Sequence, residues 1–441
     1  MIQFGQILFI LSVLVILHEF GHYIAAKIFK VRVEKFYLFM DAGFSLLKKK
    51  IGETEWGIGW LPIGGYVKLS GMIDESMDTE QMKGEPQPWE FRSKPAWQRL
   101  IIMLGGIIVN ILLAWFIYTM VYSTYGQKYI SMEKFQENGL AFGEIGQKVG
   151  FRNGDKIISV DGISQPRYNR TVLNALLGDK IEIDRNGEKK ILVLSDADKA
   201  EILGTEGKDF INPRIKTVIV DSVAPNSTAA KAGLTKGDHL LALNGKRFDF
   251  FDQLKEELKL NKNKNVALTV DRNGQETTLT TQVDKDGKIG FFPTTKDKMD
   301  YEIVNKLSIG QALPEAVKES WQLLVYNVKQ FKLILRPATE AYKHVKSPVG
   351  IARILPDTWN WEFIWNFTAL FSIGLAFMNL LPIPGLDGGH ALFTIVEMIT
   401  GKTLSEKAMG YVQTGGMIIL LSLMALTFGK DIYQLIADKL L

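Results

Sequence analysis

Apolar positions along this chain gather into long blocks near its two ends, and the middle is polar. Ile2 to Ile28, 97–123, 359–390 and 408–429 each carry roughly the 20 apolar residues needed to cross a bilayer. They predict four transmembrane helices. Between the first two blocks the period changes. VRVEKFYLF and TEWGIGWLPIGGYVKLS, within 29–71, are aromatic, β-branched and punctuated by glycine, which predicts strands. We read 29–71 as a β-loop set against the membrane; an ordinary connecting loop is the plainer alternative. Residues 72–96 are acidic and contain proline, and read as an exposed connector. Within 297–358, ALPEAVKESWQLLVYNVKQFKLIL spaces its apolar residues three and four apart, as an amphipathic helix does.

The polar middle contains a repeat. VGFRNGDKIISVDG (Val149 to Gly162) aligns with AGLTKGDHLLALNG (Ala232 to Gly245). Each copy reads as a short helix, a glycine turn, a strand and a tight Asp-Gly or Asn-Gly turn. Two copies predict two similar β-rich domains, 127–213 and 214–296; a solenoid needs at least three. The fold class expected is therefore a polytopic α-helical membrane protein with a membrane-associated β-loop and two soluble α+β domains.

Composition narrows this further. At 441 residues the chain holds several domains. A net charge of +4 is too small to imply nucleic acid. There is no cysteine, so a zinc ion must be held by histidine and carboxylate. Lys27, Lys30, Arg32, Lys35 and Lys48 to Lys50 follow the first block and mark its far end as cytoplasmic, which puts both termini outside. The N-terminus MIQFGQ lacks the positive region and cleavage site of a signal peptide.

The first block carries the chemistry. Its apolar run is interrupted by His18, Glu19 and His22. Positions i and i+4 share a helix face, so the two imidazoles can meet one metal ion while Glu19 stays free as a general base. Ionisable groups are expensive inside a lipid-length helix, which favours a functional reading. A catalytic zinc takes three protein ligands and leaves one position for water. The third candidate lies in NLLPIPGLDGGH, where two prolines and three glycines before His390 break the third span: Asp387 is the carboxylate such a site lacks, and His390 is adequate by type. Asn110, alone in the second span beside Gly105 and Gly106, serves helix packing or the site equally well.

HEFGH, LPIGGYVKL, NLLPIPGLDGG and the repeat together resemble the site-2 protease family of intramembrane zinc metalloproteases, over essentially the whole chain. The resemblance implies one Zn2+ per chain on His18, His22 and Asp387, in preference to His390, with Glu19 as catalytic residue. It implies that Asn379 holds substrate and that Gly64, Gly65, Tyr66 and Val67 of the β-loop present substrate as an added strand. It further implies PDZ domains at the repeats, with GLAFGEIG (Gly139 to Gly146) as a carboxylate-binding loop of the first. That pair would be periplasmic and act mainly as a size filter, with peptide tails as a further ligand. Substrates would be single-span membrane proteins, an anti-sigma factor or remnant signal peptides, in a bacterial inner membrane. Two other readings remain: a PDZ-bearing membrane scaffold with a dead metal site, and a soluble-type zinc protease tethered to the bilayer. An intact Glu19 speaks against the first, since holding zinc does not require it; a motif inside a membrane-length run speaks against the second.

Overall fold

The computed structural model describes residues 2–62, 64–72, 84–135, 137–207, 210–294, 302–402 and 406–440. Ile63 of the β-loop, 73–83 of the acidic connector and 295–301 at the end of the repeat pair lie outside the described residues. The chain divides into two units, one of Met1–Gly126, Lys306–Phe331 and Val345–Leu441, the other of Gln127–Asn305 and Lys332–His344.

The first unit combines helices with the β-loop; its long helices are α1 (Ile2–Ile28), α2 (Ala96–Thr124), α3 (Ile309–Ile334, shared with the second unit), α4 (Trp361–Leu380), α5 (Asp387–Thr400) and α6 (Glu406–Leu440). Among the described residues four helices are long and apolar enough to cross a membrane: α1, α2, α4 and, over Gly410–Asp431, α6. Ile108, Leu112, Phe116 and Met120 form an exposed apolar stripe on α2 at a spacing of four, the face expected to meet hydrocarbon. The opposite face of α2 packs on α1 through glycine. A Cβ at Gly21 would overlap the main chain of Gly105, and one at Gly105 would stand 2.6 Å from the Gly21 carbonyl. Only glycine lets two helix backbones approach so closely.

The β-loop is a four-stranded sheet of β1 (Val33–Leu38), β2 (Met40–Ile51), β3 (Thr54–Leu61) and β4 (Tyr66–Leu69), ordered β2-β3-β1-β4. β4 pairs antiparallel with β1, Tyr37 opposite Tyr66, and is an edge of the sheet. Phe44, Leu46, Leu47 and Trp60 are exposed on β2 and β3.

The block 359–390 is not one helix. α4 stops at Leu380, residues 381–386 are irregular, and a new helix begins at Asp387. Pro382 and Pro384 lack the N–H that would continue α4, and Gly385 takes φ +90°, open at little cost only to glycine. The reversal is tight. A Cβ at Gly388 would overlap Leu380 and Leu381, and one at Gly389 would lie 2.5 Å from the Ile383 carbonyl. The 14 residues of α5, too few to span a bilayer, take up the end of the third apolar block and most of the stretch before the fourth.

The second unit holds the two repeats as PDZ-like α+β domains. One has a sheet that includes Lys156–Val160 and Lys180–Arg185, the other a sheet that includes His239–Leu243 and Asn265–Arg272. Each has its own apolar core, centred on Phe151, Ile157, Ile181 and Phe210 in the first and on Leu240, Leu254, Leu268 and Val270 in the second. The shared Gly-Asp pair does the same work in both. Asp155 accepts two hydrogen bonds from Arg185, at 2.8 and 2.6 Å, and Asp238 accepts two from Arg272, both at 2.7 Å. Within 297–358, Glu302–Asn305 is a strand paired with Gln127–Ile130, so the unit's first and last described strands lie side by side. Part of GLAFGEIG is strand. Leu140–Phe142 pairs with Ile211–Pro213 on one edge, and on the other Leu140 exchanges backbone hydrogen bonds with Asp155 and Gly154.

Candidate metal centre

His18 and His22 point from α1 toward α2 and are both buried. Their placement follows from the glycine crossing one turn away. A Cβ on Gly106 would stand 2.5 Å from both His18 Cε1 and His22 Nε2, so the rings occupy the volume that any other residue would fill. Asp387, the first residue of α5, meets them. His18 Nε2 and His22 Nε2 lie 3.2 and 3.3 Å from Asp387 Oδ2 and 3.4 Å from each other.

The triangle fits a metal ion. Ligands bonded tetrahedrally to one zinc at about 2.0–2.2 Å stand roughly 3.3–3.6 Å apart. Despite the short distances, Asp387 Oδ2 is buried without an aligned hydrogen-bond donor. A buried carboxylate oxygen without a donor is costly unless a cation satisfies it. These three residues are the group able to hold a metal among those described.

The surroundings support the rings from behind. His22 Nδ1 donates to the Ile102 carbonyl at 2.8 Å, which leaves Nε2 bare to bind metal. His18 Nδ1 lies 3.1 Å from the side-chain amide of Asn110, which is fully buried on α2. Asn379, in the last turn of α4, places its amide nitrogen 3.0 Å from His18 Nε2, at the mouth of the triangle. Glu19 follows His18 on α1 and lies against the β-loop: a Cβ on Gly65 would come within 3.3 Å of Glu19 Cγ. Gly65 is therefore beside the centre, Gly64 faces open space, and Tyr66 and Val67 continue along edge strand β4. His390 turns elsewhere, its Nε2 2.6 Å from the Gln413 amide on α6.

The helix that carries Asp387 is itself secured. Arg99 of α2 pairs with Glu397 of α5. A Cβ at Gly416 on α6 would overlap the Pro384 carbonyl, so the irregular segment is covered by protein, as unpaired backbone at membrane depth requires. The Ile102 carbonyl and the role of Gly106 are invisible in the sequence, because both depend on the register of α1 against α2. Asn110 left a signal, a lone amide in an apolar span.

The model of Peptidase family M50 matches residues 6–423. Regulator of sigma-E protease RseP of Escherichia coli strain K12 is 28% identical over 450 residues, 96% of this chain and 97% of that protein. A regulator of sigma E protease from Haemophilus influenzae is 28% identical over 458 residues, 98% of each chain. A candidate zinc metalloprotease of Vibrio cholerae serotype O1 is 29% identical over 456 residues, 96% of this chain and 97% of that protein.

Proposed function

The chain belongs to Peptidase family M50, the site-2 protease family of zinc metalloproteases, and from that premise we propose that it cuts single-span membrane proteins within or near their transmembrane segments. The observation that carries this reading is the convergence of His18 Nε2, His22 Nε2 and Asp387 Oδ2 on one point of a membrane helix, next to Glu19. In it these three residues hold zinc. Zinc bound there would lower the pKa of a water and polarise a carbonyl.

The chain's own residues supply the rest. Glu19 takes the proton of the attacking water on its carboxylate and returns it to the leaving amine. Asn379 donates its amide to the substrate main chain. A helical peptide bond is shielded by its own hydrogen bonds, so the cut segment must be unwound, and Gly64 and Gly65 with the edge of β4 that follows at Tyr66 and Val67 can hold it as an added strand. Lys and Arg after α1 favour a cytoplasmic position for the β-loop, which places the PDZ-like pair and both termini in the periplasm of a bacterial inner membrane. Relatives named regulators of sigma-E protease favour an anti-sigma factor as substrate, with remnant signal peptides as a second class. The PDZ-like pair screens substrates by size.

The test is cleavage of a detergent-solubilised single-span substrate, with zinc measured on each protein. Glu19→Gln should keep its zinc and lose at least about 100-fold in rate. Asp387→Asn should lose zinc. Full activity in Glu19→Gln would end the mechanism, and a wild type that holds zinc but cuts nothing would favour the scaffold.

A further inference from the structure

Asn110 is fully buried in α2, and its side-chain oxygen has no hydrogen-bond partner. Its side-chain nitrogen is the atom placed 3.1 Å from His18 Nδ1. The two ends of an amide have the same shape, and which of them faces a neighbour is decided by the hydrogen bonds it can make. With zinc on Nε2, as the reading above requires, the His18 proton must sit on Nδ1. An NH2 group would then face an N–H, donor against donor, while the oxygen stays unpartnered. Turning the amide over removes the clash and gives the oxygen its donor.

We infer that Asn110 is a positioning residue of the metal centre: its Oδ1 accepts the His18 Nδ1 proton and so keeps Nε2 bare and aimed at the ion. The arrangement parallels His22, whose Nδ1 is held by the Ile102 carbonyl. α2 thus orients both ligand rings, one through main chain and one through a side chain. The position of Asn110 is fixed in turn, because Ser372 of α4 donates to its main-chain carbonyl at 2.7 Å. A merely structural Asn110 would be a polar contact for helix association, indifferent to which end of the amide meets the ring.

The inference rests on His18 being a ligand, and chelator competition for zinc on the solubilised full-length protein separates the two claims. Asn110→Leu, of matching size and without an acceptor, should bind zinc about 10- to 100-fold more weakly while keeping its thermal unfolding midpoint. Should leucine not pack, Asn110→Ala gives the same reading. Asn110→Asp can accept but not donate, and should stay within about threefold of wild type. Wild-type affinity in Asn110→Leu or Asn110→Ala overturns the inference, as does a folded Asn110→Asp that loses zinc to the same extent. A His18→Ala protein that retains wild-type zinc would instead remove the ligand assignment on which it stands.

Discussion

Asp238 and Asp387 are two shielded carboxylates whose surroundings differ in kind. In the second PDZ-like domain, Asp238 is closed on every side: the Arg272 guanidinium takes both oxygens, and the Thr235 main chain donates to one of them at 2.9 Å. In the membrane centre, Asp387 faces two imidazole nitrogens without an aligned donor. The first arrangement is finished and serves stability. The second is complete only with a cation, so its unmet valence points to chemistry. A buried carboxylate is therefore informative through what fails to satisfy it.

If the centre is shaped by what is absent, adding one methyl group should ruin it. Gly106→Ala would drive a Cβ to 2.5 Å from both rings, and relief requires α1 and α2 to part at the glycine crossing. We expect zinc to be lost and cleavage to fall at least about 100-fold, since small misplacements of reacting groups already cost that much. Zinc content by mass spectrometry beside a cleavage assay checks this. Normal zinc and activity would mean that the rings tolerate a wider helix spacing than the structure shows.

The soluble site should break differently. Burial alone would raise the Asp238 pKa, but the Arg272 fork and the Thr235 main chain outweigh it and hold the carboxyl below its usual range. Such a group lends stability that is present above its unfolded-state value and lost as pH falls through the lower folded one. Arg272→Leu leaves the charge shielded and unpaired, and should lower the unfolding midpoint of the soluble unit by roughly 5–10 °C at neutral pH. Protonation relieves the unpaired charge while wild type loses its pairing, so the gap should narrow toward pH 3. Zinc binding should be untouched. A gap that widens on acidification would mean the fork is not what holds Asp238 ionised.

What could be read in the sequence follows from how local each feature is. His18, Glu19 and His22 share a helix turn, so their relation needs only the 3.6-residue period. The four apolar blocks and the Gly-Asp repeat are equally local. The third candidate ligand is 365 positions from His22, and composition left both Asp387 and His390 available; the family resemblance separated them. α5 is hard to separate in the sequence because its apolar run follows directly on a broken span. The Ile102 carbonyl could not be found at all, since every residue carries one and only the docking of α2 selects it.

The smallest effect distinguishes two adjacent glycines. If Gly64 and Gly65 served only to make the β-loop pliable, alanine at either should act alike. The structure separates them. A Cβ at Gly64 meets nothing within 4 Å, whereas one at Gly65 would sit 2.6 Å from Val15 Cγ1 and 2.7 Å from the Tyr37 carbonyl, with Glu19 Cγ at 3.3 Å. Val15 and Glu19 are one turn apart on α1, so the methyl group would wedge the start of β4 away from the face that carries the base. Gly65→Ala should therefore keep zinc and lose about tenfold in kcat, and Gly64→Ala should stay within about twofold, by steady-state cleavage of a single-span substrate. Equal losses in both would return the pair to a role in flexibility. A loss confined to Gly65 would mean that close approach of sheet to helix, and not the freedom of the chain, sets Glu19.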